Sequence, residues 1–186
     1  LSAFYFDIRK DSLYCDAKDS KKRQSTIILL NVILNSLLRW FAPILSFTTE
    51  EIYRLIMHDD KSIHLQKFLN FPKRLKNENL NQKWIELIKI RNICNISIEE
   101  KRAIKEIGSS LEASLRINLD KKLTDVSKDV DFSELCITSS ADVSYLENSE
   151  TEVQTTKAEG LKCQLCWKIT KEACSRNICP NTHNDF

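Results

Sequence analysis

The chain has 186 residues, 42% of them apolar and 29% charged, a balance that excludes an intrinsically disordered chain. Its net charge of +2 does not argue for nucleic acid by itself, so any electrostatic case rests on where the basic residues sit. Only two glycines occur, Gly108 and Gly160, which excludes the glycine-rich phosphate loops of common nucleotide-binding enzymes and suits long helices.

The chain opens at Leu1 on apolar sequence, and we expect a fragment whose N-terminal partner has been removed. Arg9 and Lys10 begin a basic stretch that resumes at Lys21, Lys22 and Arg23. Residues 18–41 form the strongest helical segment. Ile27, Leu30, Leu34, Leu37, Leu38 and Phe41 recur at helical spacing, leaving Lys21, Lys22, Arg23, Asn31 and Asn35 for solvent. Pro43 should stop this helix and push Ala42 out of the helical region. Thr48 to Glu51 reads as a capping box that starts a second helix, running to about Met57, with Thr48 as N-cap. His58, Asp59, Asp60 and Lys61 make a polar loop.

A third helix is expected from Asn79 or Asn81, with Trp84, Leu87, Ile88, Arg91, Cys94 and Ile98 on one side. It extends towards Ile104 as an antiparallel partner of residues 18–41. After Gly108 the period changes. Leu115, Ile117 and Leu119 alternate with polar residues, the pattern of a half-buried strand. A short polar helix over 120–130 follows, then short strands at Leu135–Thr138, Val143–Leu146 and residues 151–158. The expected fold is mainly α: an antiparallel helical bundle over 1–107, a small α+β unit over 108–160, and a zinc-binding knuckle over 161–186.

The seven cysteines carry the chemistry. Cys15, Cys94 and Cys136 stand alone, whereas Cys163, Cys166, Cys174 and Cys179 crowd together. There is no run of about 18 apolar residues to span a membrane and no signal peptide, so we expect a cytoplasmic protein with reduced thiols. The Cys163-x-x-Cys166 pair puts two thiolates on one tight turn, each able to reach an ion at about 2.3 Å. Cys174 and Cys179 complete a tetrahedral site, or Cys179 and His183 complete a Cys₃His-type site with Cys174 left out. A structural zinc, one per chain, would supply most of the folding energy of so short and polar a segment. Trp167 follows the second thiolate and is flanked by Lys162, Lys168, Lys171 and Arg176. An aromatic ring among cations suits base stacking with phosphate contacts. His58, His64 and His183 are too dispersed for a catalytic set, and Glu50 with Glu51 is accounted for by the helix cap. No catalytic residue is expected. A free-standing zinc-dependent RNA- or protein-interaction module fits the same residues, and a redox module would need Cys163 and Cys166 in a disulfide.

The order of these segments resembles one family. Phe4-Tyr5-Phe6-Asp7-Ile8-Arg9-Lys10-Asp11 with Tyr14 is similar to the opening of the anticodon-binding helical domain of the isoleucyl-tRNA synthetases. The run from Leu38 to Ile52 resembles that family's "W-x-A-P-x-x-S-F-T-x-E-E" segment, and Gly108 to Ala113 its "G-x-S-L-E-A" stretch. Lys157-Ala158-Glu159-Gly160 leads into Cys163-x-x-Cys166-Trp167, as in the family's terminal zinc module. The resemblance implies a monomeric class I ligase that charges isoleucine tRNA using ATP, with its catalytic and editing domains outside this chain. The "HIGH" and "KMSKS" signatures that hold ATP are absent here. It further implies that this chain grips the anticodon stem and loop, with Trp167 near the anticodon. The family commonly closes its zinc site with a second Cys-x₂-Cys pair, but Cys179 is followed by Pro180-Asn181-Thr182.

Overall fold

The structure, a computed structural model, describes residues 2–57, 61–147, 150–172 and 174. The chain divides into two compact units, one of residues 18–76 and one of residues 1–17 with 77–186. The described residues are mostly helical, with a small sheet region and a cysteine cluster. None of the described helices is long and apolar enough to cross a membrane.

In the unit of residues 18–76, helix α2 (Lys21–Phe41) starts at Ser20, whose hydroxyl accepts the Arg23 amide. (Helix α1, Asp7–Cys15, precedes it in the other unit.) The expected apolar stripe is only partly buried. Leu38 is inside, yet Ile27 and Phe41 stand 41% and 43% exposed. The reason lies in the composition: apolar residues occur on nearly every side of α2, so periodicity does not single out one face.

Ala42 corrects the expectation drawn from Pro43. It keeps right-handed helical angles (φ −52°, ψ −40°) and donates its amide to the Leu38 carbonyl at 3.0 Å. Helix α3 (Ser46–Met57) begins two residues before Thr48, so Thr48 is not its N-cap. The Leu45 carbonyl already accepts the Thr49 amide at 2.9 Å, and the Thr49 hydroxyl bonds the same carbonyl. Glu50 has another use. Its carboxylate accepts the Ser62 hydroxyl at 2.8 Å, the Ile63 amide at 2.9 Å and the Arg54 guanidinium at 2.7 Å. This pins the short turn Ile63–Leu65 so that Ile63 joins Leu38, Ala42 and Tyr53 in a small core. Of the polar loop, residues 58–60 lie outside the described residues.

In the other unit, a π-helical turn over Ser2–Phe6 runs into α1. Helix α4 (Glu78–Ala103) is capped by Asn77, whose side chain accepts the Leu80 amide at 3.0 Å. Its buried residues are Leu87, Ile90, Cys94 and Ile98; Ile88, expected inside, is 40% exposed. Spacings of three, four and four residues make one stripe that lies on a three-stranded sheet. The strands are β1 (Ala113–Asp120), β2 (Ser140–Leu146) and β3 (Glu152–Lys157), in the order β2-β1-β3. β1 pairs with β2 in parallel and with β3 antiparallel, which makes it the central strand.

Ala113, Leu115, Ile117 and Leu119 on alternate positions of β1 are completely buried, as their period demands. Each of the larger three contributes roughly 1.5–3 kcal/mol by leaving water. Between β1 and β2 come two short helices, α5 (Thr124–Ser127) and α6 (Phe132–Leu135). The expected strand at Leu135–Thr138 is therefore absent. Asp131 overrides the local β pattern by accepting the Glu134 amide, and Ile137 turns the chain with φ +59°. Arg91 of α4 donates to the Leu135 carbonyl at 2.9 Å and fixes the end of α6. The last described strands of the unit form a small hairpin of β4 (Leu161–Lys162) and β5 (Ile169–Thr170).

Candidate metal centre and nucleic-acid interface

The six residues Cys163 to Lys168 form the turn between β4 and β5. Cys163 donates its amide to the Lys168 carbonyl at 2.9 Å, and Trp167 donates to the Cys163 carbonyl at 3.0 Å. Closing the turn this way holds Trp167 at φ +62°, in the left-handed region. A bulky residue pays about 1–2 kcal/mol there. The hairpin is fastened to the sheet by Ser139, whose hydroxyl accepts the Ile169 amide at 2.6 Å and donates to the Leu111 carbonyl.

Gly160 enters the hairpin with φ +129°, and a Cβ on it would lie 2.1 Å from the Thr170 carbonyl oxygen. No residue but glycine fits. Its importance was visible in composition only as one of two glycines; the clash it avoids is a tertiary fact.

The turn brings three thiols together. The sulfurs of Cys163, Cys166 and Cys174 lie within 4.8 Å of one another, with Cys163 and Cys166 buried and Cys174 half-buried. Four sulfurs about 2.3 Å from a tetrahedral zinc are separated by roughly 3.8 Å, so only a small contraction would bring these three onto one ion. Cys163 and Cys166 are not joined in a disulfide. Burial pushes the Cys166 thiol up to about 12, and the neighbouring Cys163 and Cys174 sulfurs push in the same direction, while the Lys168 amide opposes them. A divalent cation at the centre of the three would reverse that balance and favour thiolates. The residues therefore fit a soft metal ion. Cys179 and His183, the expected alternatives for completing the set, lie outside the described residues, as does Arg176.

Cys15 does not stand alone. It packs with Cys163 and Cys166 in one buried cluster, and its thiol donates to the Leu165 carbonyl at 3.8 Å. Cys94 and Cys136 are buried in the main core.

The expected RNA contacts fall into three groups. Trp167, 60% exposed, shares the hairpin with exposed Lys162, half-buried Lys168 and exposed Lys171. Lys171 pairs with Glu159 at 2.8 Å, and Lys168 lies close enough to Asp131 to stabilise its charge. On α1, Arg9 binds Glu134 at 2.8 Å and lies over the ring of the preceding Tyr5, while Lys10 pairs with Asp7 at 2.6 Å. Lys21, Lys22 and Arg23 belong to the other unit, in the first turn of α2. Arg116 and Lys157, which sequence reasoning passed over, line a groove with Cys163, Cys166 and Lys168. The alternation along β1 puts Arg116 on the face opposite the core, and that was legible in advance.

The described residues thus form a helical chain with a small sheet and a thiol-lined hairpin that carries an exposed tryptophan. The chain belongs to the family described as the anticodon-binding domain of tRNA ligase, which matches residues 1–117. It is 63% identical, over 95% of its length, to the isoleucine–tRNA ligase of Pelagibacter ubique, of which it covers 20%. It is 39% identical over 92% of its length to that of Agrobacterium fabrum, and 38% identical over 91% to that of Rhodopseudomonas palustris. The chain thus spans about a fifth of the length of these curated relatives.

Proposed function

We propose that this chain recognises the anticodon of an isoleucine-accepting tRNA as part of an isoleucine–tRNA ligase. The observation that carries the reading is the 63% identity to a ligase of that name across 95% of the chain, joined to the anticodon-binding family match. In this reading the helices over 1–107 form the anticodon-binding bundle. Residues 108–160 connect it to a zinc knuckle over 161–186. ATP chemistry and editing belong to other parts of the ligase, which acts as a monomer in the cytoplasm.

The geometry supports a division of labour. Trp167 offers an open ring for stacking, and Lys162, Lys168 and Lys171 offer phosphate contacts around it. Arg9, Lys10, Lys21, Lys22, Arg23 and Arg176 are the further proposed contacts. Cys163, Cys166 and Cys174, with Cys179 or His183, would hold one zinc ion. Bound there, zinc cross-links the turn and keeps Trp167 presented.

The test is binding of the full-length protein to isoleucine tRNA and to a tRNA with an unrelated anticodon, across a salt series. The cognate tRNA should bind more tightly, with affinity falling as salt rises. Trp167→Ala should weaken it by roughly 10- to 100-fold. Equal binding of both tRNAs, untouched by the substitution, sinks the proposal.

A further inference from the structure

The last residue of α1 reaches the hairpin across 150 positions of sequence: Cys15 donates its thiol to the carbonyl of Leu165, inside the Cys163–Cys166 turn. Cys15 is 4% exposed and packs with Cys163 and Cys166, with Cys174 against the same cluster. The three candidate ligand sulfurs lie within 4.8 Å of each other, and the Cys15 sulfur is outside that group. We infer that Cys15 is a positioning residue of the metal centre, clamping the ligand turn to the end of α1 so that metal binding and the order of that helix end are linked. The inference rests on the metal reading above.

The physical case has three parts. The turn's two ligand residues enclose Leu165, so holding its carbonyl limits the torsions that aim both sulfurs. The thiol is a weak donor, and a long S–H···O bond suits restraint rather than strong binding. Linkage is reciprocal: whatever factor the clamp adds to metal affinity, the metal returns as order at Ser12 to Asp16. Groups that orient ligands from outside the coordination sphere typically change metal affinity by 10- to 100-fold. A single weak donor belongs at the lower end.

The experiment uses the full-length protein, wild type, Cys15→Ala and Cys15→Ser. Zinc content and chelator competition give stoichiometry and affinity, cobalt substitution reports the ligands, and amide exchange reports residues 12–16. The wild type should bind zinc at this site, with slower exchange at the end of α1 when loaded. Cys15→Ala should keep the stoichiometry and the thiolate–cobalt bands, lose about 10-fold in affinity, and lose the metal-dependent protection. Cys15→Ser, which keeps a donor, should recover part of both and serves if the alanine variant does not fold. A wild type without zinc overturns the metal reading and this inference together. Zinc binding with affinity and protection unchanged in both variants overturns the inference alone. Loss of a thiolate–cobalt band in Cys15→Ala would make Cys15 a ligand and overturn the positioning role.

Discussion

Gly160 passes directly beneath the backbone of Thr170, where a Cβ would stand 2.1 Å from the carbonyl oxygen and 2.8 Å from the Lys171 nitrogen. Backbone rather than a flexible side chain occupies that space, so neither partner yields cheaply. Gly160→Ala should therefore open the β4–β5 hairpin while leaving the main sheet folded. The left-handed angle alone costs about 1–3 kcal/mol, before the clash. Metal retention under chelator competition should fall at least 10-fold, with the thermal midpoint of the main core nearly unchanged. Wild-type retention in the alanine variant would refute this account of the turn.

Trp167 stores strain at the place where the proposed stacking occurs. Trp167→Gly should stabilise the hairpin relative to Trp167→Ala by about 1 kcal/mol, because glycine adopts φ +62° freely. Both should lose the ring's contribution to tRNA binding. Hairpin stability, read by amide exchange of the Cys163 and Trp167 amides, separates the two effects. A glycine variant less ordered than the alanine one contradicts the strain.

Two carboxylates, Glu50 and Asp131, contribute to the expected response to acid. The Ser62 hydroxyl, with Arg54 and the Ile63 amide, holds the Glu50 carboxyl below its ordinary value of 4.5 against the opposing effect of burial. Burial pushes Asp131 up, but the Ser133 hydroxyl, the Glu134 and Ser133 amides and the Lys168 charge outweigh it and leave it below 3.8. A depressed folded value means the unfolded chain takes up protons first as pH falls. The stabilisation is complete above the ordinary carboxylate range and is lost below about pH 4.5 for Glu50 and 3.8 for Asp131. Glu50→Gln and Asp131→Asn should each flatten the slope of stability against pH in that window, measured by urea unfolding at a series of pH values. Parallel slopes for variant and wild type would exclude the linkage.

Ser12 is 2% exposed, and its hydroxyl has no hydrogen-bond partner among the described residues. Burying an unpaired hydroxyl is costly, so Ser12→Ala should be neutral or stabilising by up to about 1 kcal/mol. A loss of more than that in urea unfolding would show that the hydroxyl is bonded in solution.

Much of this was open to inspection in the residues themselves. The period of two over Leu115, Ile117 and Leu119 identified β1 because a strand buried on one face must alternate. The apolar spacing, with a start expected at Asn79 or Asn81, placed α4 to within a turn. The Cys-x-x-Cys spacing located the thiol cluster that could hold a metal ion, since two thiols on one turn are a local property of the chain. The motif order by itself pointed to the family.

What failed were inferences from short segments whose outcome is decided elsewhere. Leu135 to Thr138 has the composition of a strand, but the Asp131 cap and the Arg91 bond to the Leu135 carbonyl make it a helix end and a turn. Thr48 looked like a cap, but the backbone bond from Thr49 to Leu45 starts the helix earlier and frees Glu50 to hold Ser62 and Ile63. The sequence by itself determined the periods of β1 and α4, the thiol pair and the family. Tertiary structure alone decided that Cys15 meets Leu165, that Gly160 lies under Thr170, and that Trp167 is held left-handed and exposed. Local periods depend on neighbours a few residues away, whereas these contacts depend on how distant segments close on one another.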